Sequence, residues 1–167
     1  MIVRKVTASD AEAFRDCRLA ALRDEPTSFL SSYEEEEPRT VEMVRERFVA
    51  QRPENATFGA FDAEKIAGII AIFHEPRSKR LHKMNIVSVY VRPEYRGRKI
   101  GHALMEAAIA HARCIPGVER IELGVRADNS AAKALYLAHG FVTWGREPEF
   151  LQYDGQRYDE DHMSLQL

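Results

Sequence analysis

Apolar and polar positions recur along the chain with periods that predict most of its elements. Ile2, Val3 and Val6 predict a short first strand, and Ser9 with Glu12 three residues later makes a capping box that opens a helix. That helix carries Phe14, Cys17 and Ala21 on one face and ends at Asp24-Glu25-Pro26. After a polar stretch containing Glu34 to Glu37, Thr40 caps a second helix, whose Val41, Val44 and Phe48 recur at helical spacing until Pro53. Two β-rich runs, Thr57 to Phe61 and Ile66 to Phe73, flank the turn Asp62-Ala63-Glu64-Lys65 and read as a hairpin. Ile86 to Val91 is a third run, closed by Pro93.

From Lys99 to about Cys114, the residues Ile100, Leu104, Ala107, Ala108 and Ile109 form a helical stripe. Pro116-Gly117 breaks it before Ile121, Leu123 and Val125 resume a strand. Strand, helix and strand in this order place the two strands parallel through a right-handed crossover. Asn129 begins another helix with Ala131, Ala134, Leu135 and Ala138, and His139-Gly140 ends it. Phe141 to Trp144 and His162 to Leu167 predict closing strands, with a turn at Asp154-Gly155 between them. The expected class is α/β of the mixed α+β kind. A central, twisted, mostly antiparallel sheet of six or seven strands is flanked by about four helices. The order is strand, two helices, three strands, helix, strand, helix and two strands.

Length and charge narrow the picture. The chain has 167 residues, 45% of them hydrophobic, which suits one core, so residues 1–167 are expected to form a single domain without repeat or linker. Lys plus Arg number 24 against 26 Asp plus Glu, so nothing draws the molecule as a whole to nucleic acid or to an anionic membrane. The longest apolar run, Ile66 to Phe73, is too short to span a bilayer, and Met1 to Asp10 holds no long apolar stretch, so a soluble cytoplasmic protein is expected. Cys17 and Cys114 have no metal-ligand spacing and are expected to be reduced and structural, and no metal is expected.

The most informative stretch runs from Val89 to Leu104. A strand stops at Pro93, the chain turns through Gly97, and a helix begins with Gly101 in its first turn. Backbone N–H groups at a helix start lack intrahelical partners and sit at the positive end of the helix dipole, so a pyrophosphate there satisfies both. Gly97 and Gly101 allow close approach, and Arg96, Arg98 and Lys99 can add charge-assisted hydrogen bonds. Taken alone, a basic glycine turn is more simply a solvated surface with turn glycines.

The segment resembles the acetyl-CoA signature of the GNAT superfamily of N-acetyltransferases, an Arg or Gln followed after two residues by Gly and then by Gly or Ala two further on. Those places are Arg96, Lys99 and Gly101 here. Lys99 thus stands where the family has glycine, and an ordinary helical backbone in the first turn is expected at it. A second block runs from Leu123 to Tyr136 and on to His139-Gly140-Phe141. It resembles the family's later motif: a Val- and Leu-rich strand, an Asn, an Ala-rich helix, a Leu-Tyr pair and a Gly-Phe. The resemblance covers the last half of the chain by motif and the front half by element order.

The resemblance implies acetyl-CoA as cosubstrate and direct attack by a primary amine, with a small-molecule acceptor. It implies cofactor contacts from Val89, Tyr90, Val91, Arg96, Gly97, Arg98, Lys99, Ile100, Gly101, His102, Asn129, Ala132 and Tyr136. A backbone N–H near Tyr90 or Val91 would hold the oxyanion, with the pantetheine lying against the strand like an added one. Tyr136 would be the catalytic acid that protonates the departing sulfur. From spacing alone it is more often a packed core aromatic, so its catalytic role rests on the family motif, and Asn129 can also simply cap the helix it begins. No residue announces itself as general base. His74, Glu75, Asn85 and Ser88 are candidates, and a water chain is the alternative. The acceptor region falls at about Phe29 to Pro38 and Gly145 to Tyr158, where Glu34 to Glu37, Glu147, Glu149 and Asp154 could attract a cation and Tyr33, Phe150 and Tyr153 could pack on it. A glutamate run is also an ordinary solvated face. Acetylation of protein N-termini or lysines, or acyl-CoA binding without turnover, stays open. So does a homodimer, which members of the family often form.

Overall fold

A computed structural model describes residues 1–167. Its strands are β1 (Ile2–Lys5), β2 (Ala56–Asp62), β3 (Lys65–His74), β4 (Lys83–Val91), β5 (Arg120–Arg126), β6 (Val142–Tyr153) and β7 (Gln156–Gln166). Its α-helices are α1 (Ala11–Asp24), α2 (Tyr33–Glu36), α3 (Val41–Val49), α4 (Ile100–Arg113) and α5 (Ser130–Ala138). The strands form one sheet in the order β1-β2-β3-β4-β5-β7-β6, antiparallel everywhere except between β4 and β5. The mixed sheet and the element order agree with the pattern of the sequence. No helix is long and apolar enough to cross a membrane.

β2 and β3 are buried on both faces, which is why they read as continuous apolar runs and not as alternating ones. Ile70 and Ile72 join Leu104, Met105 and Ala108 of α4 on one face, while Ile66 and Ile69 join Phe14, Cys17 and Ala21 of α1 on the other.

Three local expectations are corrected. The capping box that opens the first helix is Thr7 with Asp10, one pair earlier than Ser9 with Glu12, and it starts a 3-10 turn at Ala8–Asp10 that runs into α1. The Asp10 carboxylate accepts from the Thr7 N–H at 2.8 Å and from Arg4 at 2.8 Å, two donors that Glu12 has no comparable claim on. The glutamate stretch contains the extra helix α2, capped by Ser32, whose hydroxyl accepts from the Glu35 N–H at 3.2 Å. One turn is too short to show a period. The final hairpin is also longer than its apolar ends suggested, because much of β6 is exposed and carries no apolar alternation.

The sheet opens in its middle. β4 and β5 pair only through Lys83↔Arg120, Met84↔Ile121 and Asn85↔Glu122. Beyond that, β4 bends at a bulge: Ala71 faces Val87 and Ile69 faces Tyr90, so Ser88 and Val89 together stand opposite Ile70. Ser88 takes a left-handed backbone (φ 57) to do so. The two parallel strands therefore splay, and the edge of β4 from Ile86 to Val91 has no strand beside it.

Gly68 on β3 fixes how closely β4 can lie. A Cβ on Gly68 would stand 2.7 Å from the Tyr90 carbonyl oxygen and 3.1 Å from Val91 Cγ2. Gly68→Ala is therefore expected to cost about 1–3 kcal/mol as overpacking against backbone, read from the urea midpoint, with the end of β4 displaced.

Candidate functional site

The turn after β4 is built to leave its amides free. Pro93 starts a 3-10 turn (Pro93–Tyr95), Gly97 follows with φ 78, and Lys99 caps α4 with φ 59 and ψ 18. The left-handed backbone at Lys99 corrects the expectation of a simple helical residue there. It is the conformation in which glycine is free and a side chain is strained by roughly 1–2 kcal/mol. The two left-handed residues turn the chain so that the N–H groups from Gly97 to His102 donate to no protein acceptor. Ala103 is the next N–H engaged, bonding to the Lys99 carbonyl at 3.1 Å. Lys99→Gly is expected to raise the stability of the ligand-free protein by about 0.5–1 kcal/mol, measured by urea unfolding.

A cleft of about 910 Å³ runs from this turn along the splayed strands. Val89, Tyr90, Val91, Arg96, Gly97, Lys99, Ile100, Gly101, His102, Asn129, Ala132 and Tyr136 all line it. Of the residues expected there, Arg98 alone does not. Its guanidinium lies over the Tyr95 ring at 5.2 Å and donates to the Glu94 carbonyl, which turns it away. Arg96 borders the cleft but is already engaged, donating to the Val91 carbonyl at 3.0 Å and to Glu25 at 2.9 Å. It braces the end of β4 against the segment after α1. The Tyr90 side chain turns to the α1 face, where its hydroxyl donates to Asp24, so the cleft meets Tyr90 through its backbone. Gly101 keeps α4 close to α5, since a Cβ there would meet Leu135 at 3.3 Å. His102 Nδ1 lies 3.1 Å from His139 Nε2, so the pair shares a hydrogen, and burial with the neighbouring His102 holds His139 below the usual imidazole range.

Tyr136 reconciles its two interpretations. Its ring is buried and packs 6.1 Å from Phe141, yet the residue also faces the cleft. Burial pushes its phenol well above the ordinary value, so the hydroxyl stays protonated at neutral pH. Asn129 does cap α5, its side-chain oxygen accepting from the Ala132 N–H at 3.1 Å, and lines the cleft as well.

The general-base candidates fare differently. His74, Glu75 and Asn85 sit where β3, β4 and β5 are still paired, the closed end of the splay, and none lines the cleft. The His74 ring meets the Leu81 carbonyl at 2.5 Å and Glu75 pairs with Arg80 at 3.3 Å. The misplacement has a simple cause: β3 runs antiparallel to β4, so its last residues lie beside the start of β4 and away from Val91. Ser88 lines the cleft, at the bulge.

The end of the cleft where the acceptor region was expected is formed by Thr27 to Ser31, Phe150, Leu151 and Tyr158 to Glu160. The glutamate run is largely structural: Glu36 is buried against Arg18 at 3.3 Å and Arg39 at 3.5 Å, and Glu35 completes the cap of α2. Glu149 pairs with Arg157 at 2.7 Å, and Tyr33 and Tyr153 line a smaller neighbouring pocket. Arg126, Asp159 and Glu160 were not singled out by the sequence. Glu160 has one signal, that Tyr158, Glu160 and His162 alternate along β7 as polar positions sharing a face; Arg126 and Asp159 have none. Both cysteines are free. Cys17 is buried and its thiol is pushed up to about 12 by desolvation, whereas Cys114 is exposed at the end of α4 and lies outside the core, contrary to expectation.

Comparison with known proteins places the fold. Residues 18–141 match the acetyltransferase (GNAT) family. An acetyltransferase of the GNAT family from Streptococcus pneumoniae superposes with a TM-score of 0.86 over 99% of each chain, at 25% identity. A GNAT superfamily phosphinothricin acetyltransferase from Sinorhizobium meliloti, solved with AcCoA, superposes at 0.80 over 99% of this chain and 88% of that one, at 20% identity, a likeness of fold. The L-methionine sulfoximine/L-methionine sulfone acetyltransferase of Pseudomonas aeruginosa is 34% identical over 80 residues, 48% of this chain and 46% of that protein. The chain spans less than half the length of the curated relatives it matches.

Proposed function

Because the chain belongs to the acetyltransferase (GNAT) family, we propose that it transfers the acetyl group of acetyl-CoA to the primary amine of a small molecule by direct attack. The observation that carries this is the run of N–H groups from Gly97 to His102 without protein partners, opening on the same cleft as the splayed edge of β4. Amides with no acceptor at a helix start suit the two phosphates of the cosubstrate. Lys99 contributes its charge there, and Arg96 supports the turn. The free edge of β4 offers backbone groups to an extended pantetheine, which would bind as a partial strand in the gap.

Acetyl-CoA brings a thioester, whose carbonyl carbon is open to attack and whose sulfur leaves readily. The chain must then hold the carbonyl oxygen, accept protons from the amine and protonate the sulfur. A backbone N–H at the bulged end of β4 would stabilise the developing oxyanion, in a cleft where such a hydrogen bond is worth more than in water. Tyr136, kept protonated by burial, would give its proton to the departing sulfur. Ala132, one turn earlier on α5, has little bulk to obstruct the pantetheine path.

The acceptor end is bounded by Phe29, Leu30, Phe150, Leu151 and Tyr158, with Arg126, Asp159 and Glu160 among its charges. Such walls suit a small amine with an apolar part. Amino-acid-like acceptors come first among these, since relatives of similar sequence are named for methionine sulfoximine and methionine sulfone. The test is thiol release from acetyl-CoA across a panel of amino acids, their sulfoximine and sulfone analogues, simple alkylamines and a peptide set. Amine-dependent release with a small acceptor is the expected result. Release with peptides alone would move the acceptor class to proteins. Acetyl-CoA binding without release on any amine would leave a binding module.

A further inference from the structure

Resting on the acetyl transfer proposed above, we propose that Glu160 takes the proton which the acceptor's amine must lose, and that His162 and Glu147 pass it on to solvent. Glu160 lies on β7 opposite Arg126 of β5 and opposite Glu147 of β6, and it lines the cleft. Two residues further, on the same face, His162 stands opposite Gly124. Gly124 is what gives the carboxylate its place. A Cβ on residue 124 would stand 2.0 Å from Glu160 Oε1 and 2.4 Å from its Cδ, so the carboxyl group occupies the volume a side chain there would fill. Any larger residue at 124 would push it out of the cleft wall.

Neighbouring acids of the cleft are committed elsewhere. Glu25 pairs with Arg96 at 2.9 Å, and the Asp159 side chain accepts from the Glu149 N–H at 3.0 Å. Glu160 has no N–H or O–H donor within hydrogen-bond distance; its nearest cation-forming neighbour is His162, with Nδ1 at 3.7 Å. The groups around it are Arg126 on β5, Glu147 on β6, and His162 and Tyr158 on its own face of β7, with Asp159 and Glu25 lining the same cleft. Arg126 is turned to Asp128 and Thr27. Burial makes Glu160 more basic than an ordinary carboxylate, an effect that His162 opposes and Glu147 reinforces.

An exit path leads away from it. His162 Nε2 lies 3.2 Å from Glu147 Oε2, and its ring is held by Trp144, stacked at 5.3 Å, and by the edge of Phe150 at 6.4 Å. The Glu147 side chain is 53% exposed and delivers the proton to solvent. The span from Glu160 to His162 is one that a small rotation or a single water closes. The balance is complete. A primary ammonium sheds two protons as the new C–N bond forms and the C–S bond breaks. One leaves through Glu160. The other ends on the sulfur, given by Tyr136, which recovers its own from the adduct nitrogen.

The experiment compares the intact protein with Glu160→Gln, Glu160→Asp and Gly124→Ala, using the best amine from the panel and following kcat, KM and pH. Glu160→Gln is expected to lower kcat/KM on the order of 10²-fold near neutral pH, with unchanged acetyl-CoA affinity. The variant should climb back towards the intact protein as pH nears the amine's own pKa of about 10. Glu160→Asp should recover part of the loss, and Gly124→Ala should reproduce it. Full activity in Glu160→Gln with the same pH profile overturns the proposal. A rise in KM alone also overturns it, since that marks an ammonium anchor and not a proton acceptor. Absence of turnover in the intact protein on every amine is a different failure, that of acetyl transfer itself.

Discussion

Tyr136→Phe lowers kcat by roughly 10²- to 10⁴-fold, the range of a lost general acid, while acetyl-CoA affinity and thermal midpoint stay near their original values. The split follows from where the side chain lies. Its ring belongs to the core against Phe141, and phenylalanine fills that volume, so little packing is lost. Only the hydroxyl disappears. Burial is the one influence found on that hydroxyl, and it favours the neutral, proton-bearing form. Single-turnover thiol release, with acetyl-CoA binding by calorimetry beside it, checks the prediction. Undiminished turnover would remove Tyr136 from the acid role and leave it a core residue.

The second large effect concerns stability. Asp161 on β7 is buried, and its carboxylate accepts from Lys133 of α5 at 2.5 Å and from Arg146 of β6 at 2.6 Å. One carboxylate therefore ties a helix and the edge strand to β7. Asp161→Asn leaves both cations without their counter-charge, and a loss of about 2 kcal/mol is expected, less than for a fully buried pair because Arg146 and Lys133 still reach water. The hydrogen bonds from Arg146 and Lys133 hold Asp161 at about 2, below its ordinary value of 3.8. Since its folded value lies below its unfolded one, it stabilises the protein above the unfolded value and stops doing so as pH falls through about 2. Urea midpoints from pH 6 down to pH 2 should converge for the two proteins, most of the difference being lost by the acid end. A constant difference would mean that the effect is one of shape and not of charge.

The helices and the order of elements were largely legible because they rest on local chemistry. Thr40 and Asn129 cap the helices they were expected to open, and of the stripe Ile100, Leu104, Ala108 and Ile109 are buried, with Ala107 partly so. The parallel pairing of β4 with β5 follows from the crossover rule. What the sequence hides is tertiary. Nothing in the residues from Ile86 to Val91 announces a bulge at Ser88, because Ser88 is an ordinary strand-compatible residue whose left-handed backbone is imposed by its neighbours. Lys99 is hidden for the same reason: lysine has no preference for the left-handed conformation it takes, so only the fold reveals it.

The site shows the same division. The unpartnered amides of one contiguous segment, Gly97 to His102, could be found by pattern, since the amides and their carrier helix are adjacent in sequence. Glu160 could not. Its position depends on β7 lying between β5 and β6 and on Gly124, 36 residues earlier, having no side chain. Glu75 was attractive because it ends an apolar strand, but antiparallel pairing carries that end away from the cleft.

The most direct measurement is a backbone amide NMR titration of the protein with coenzyme A. If the diphosphate sits on the start of α4 and the pantetheine lies in the splay, the largest shifts fall on Gly97 to His102 and on Val89 to Val91, with Gly117 and Gly155 unmoved. Saturable binding that leaves the amides of Gly97 to His102 unshifted would contradict the assignment at its root.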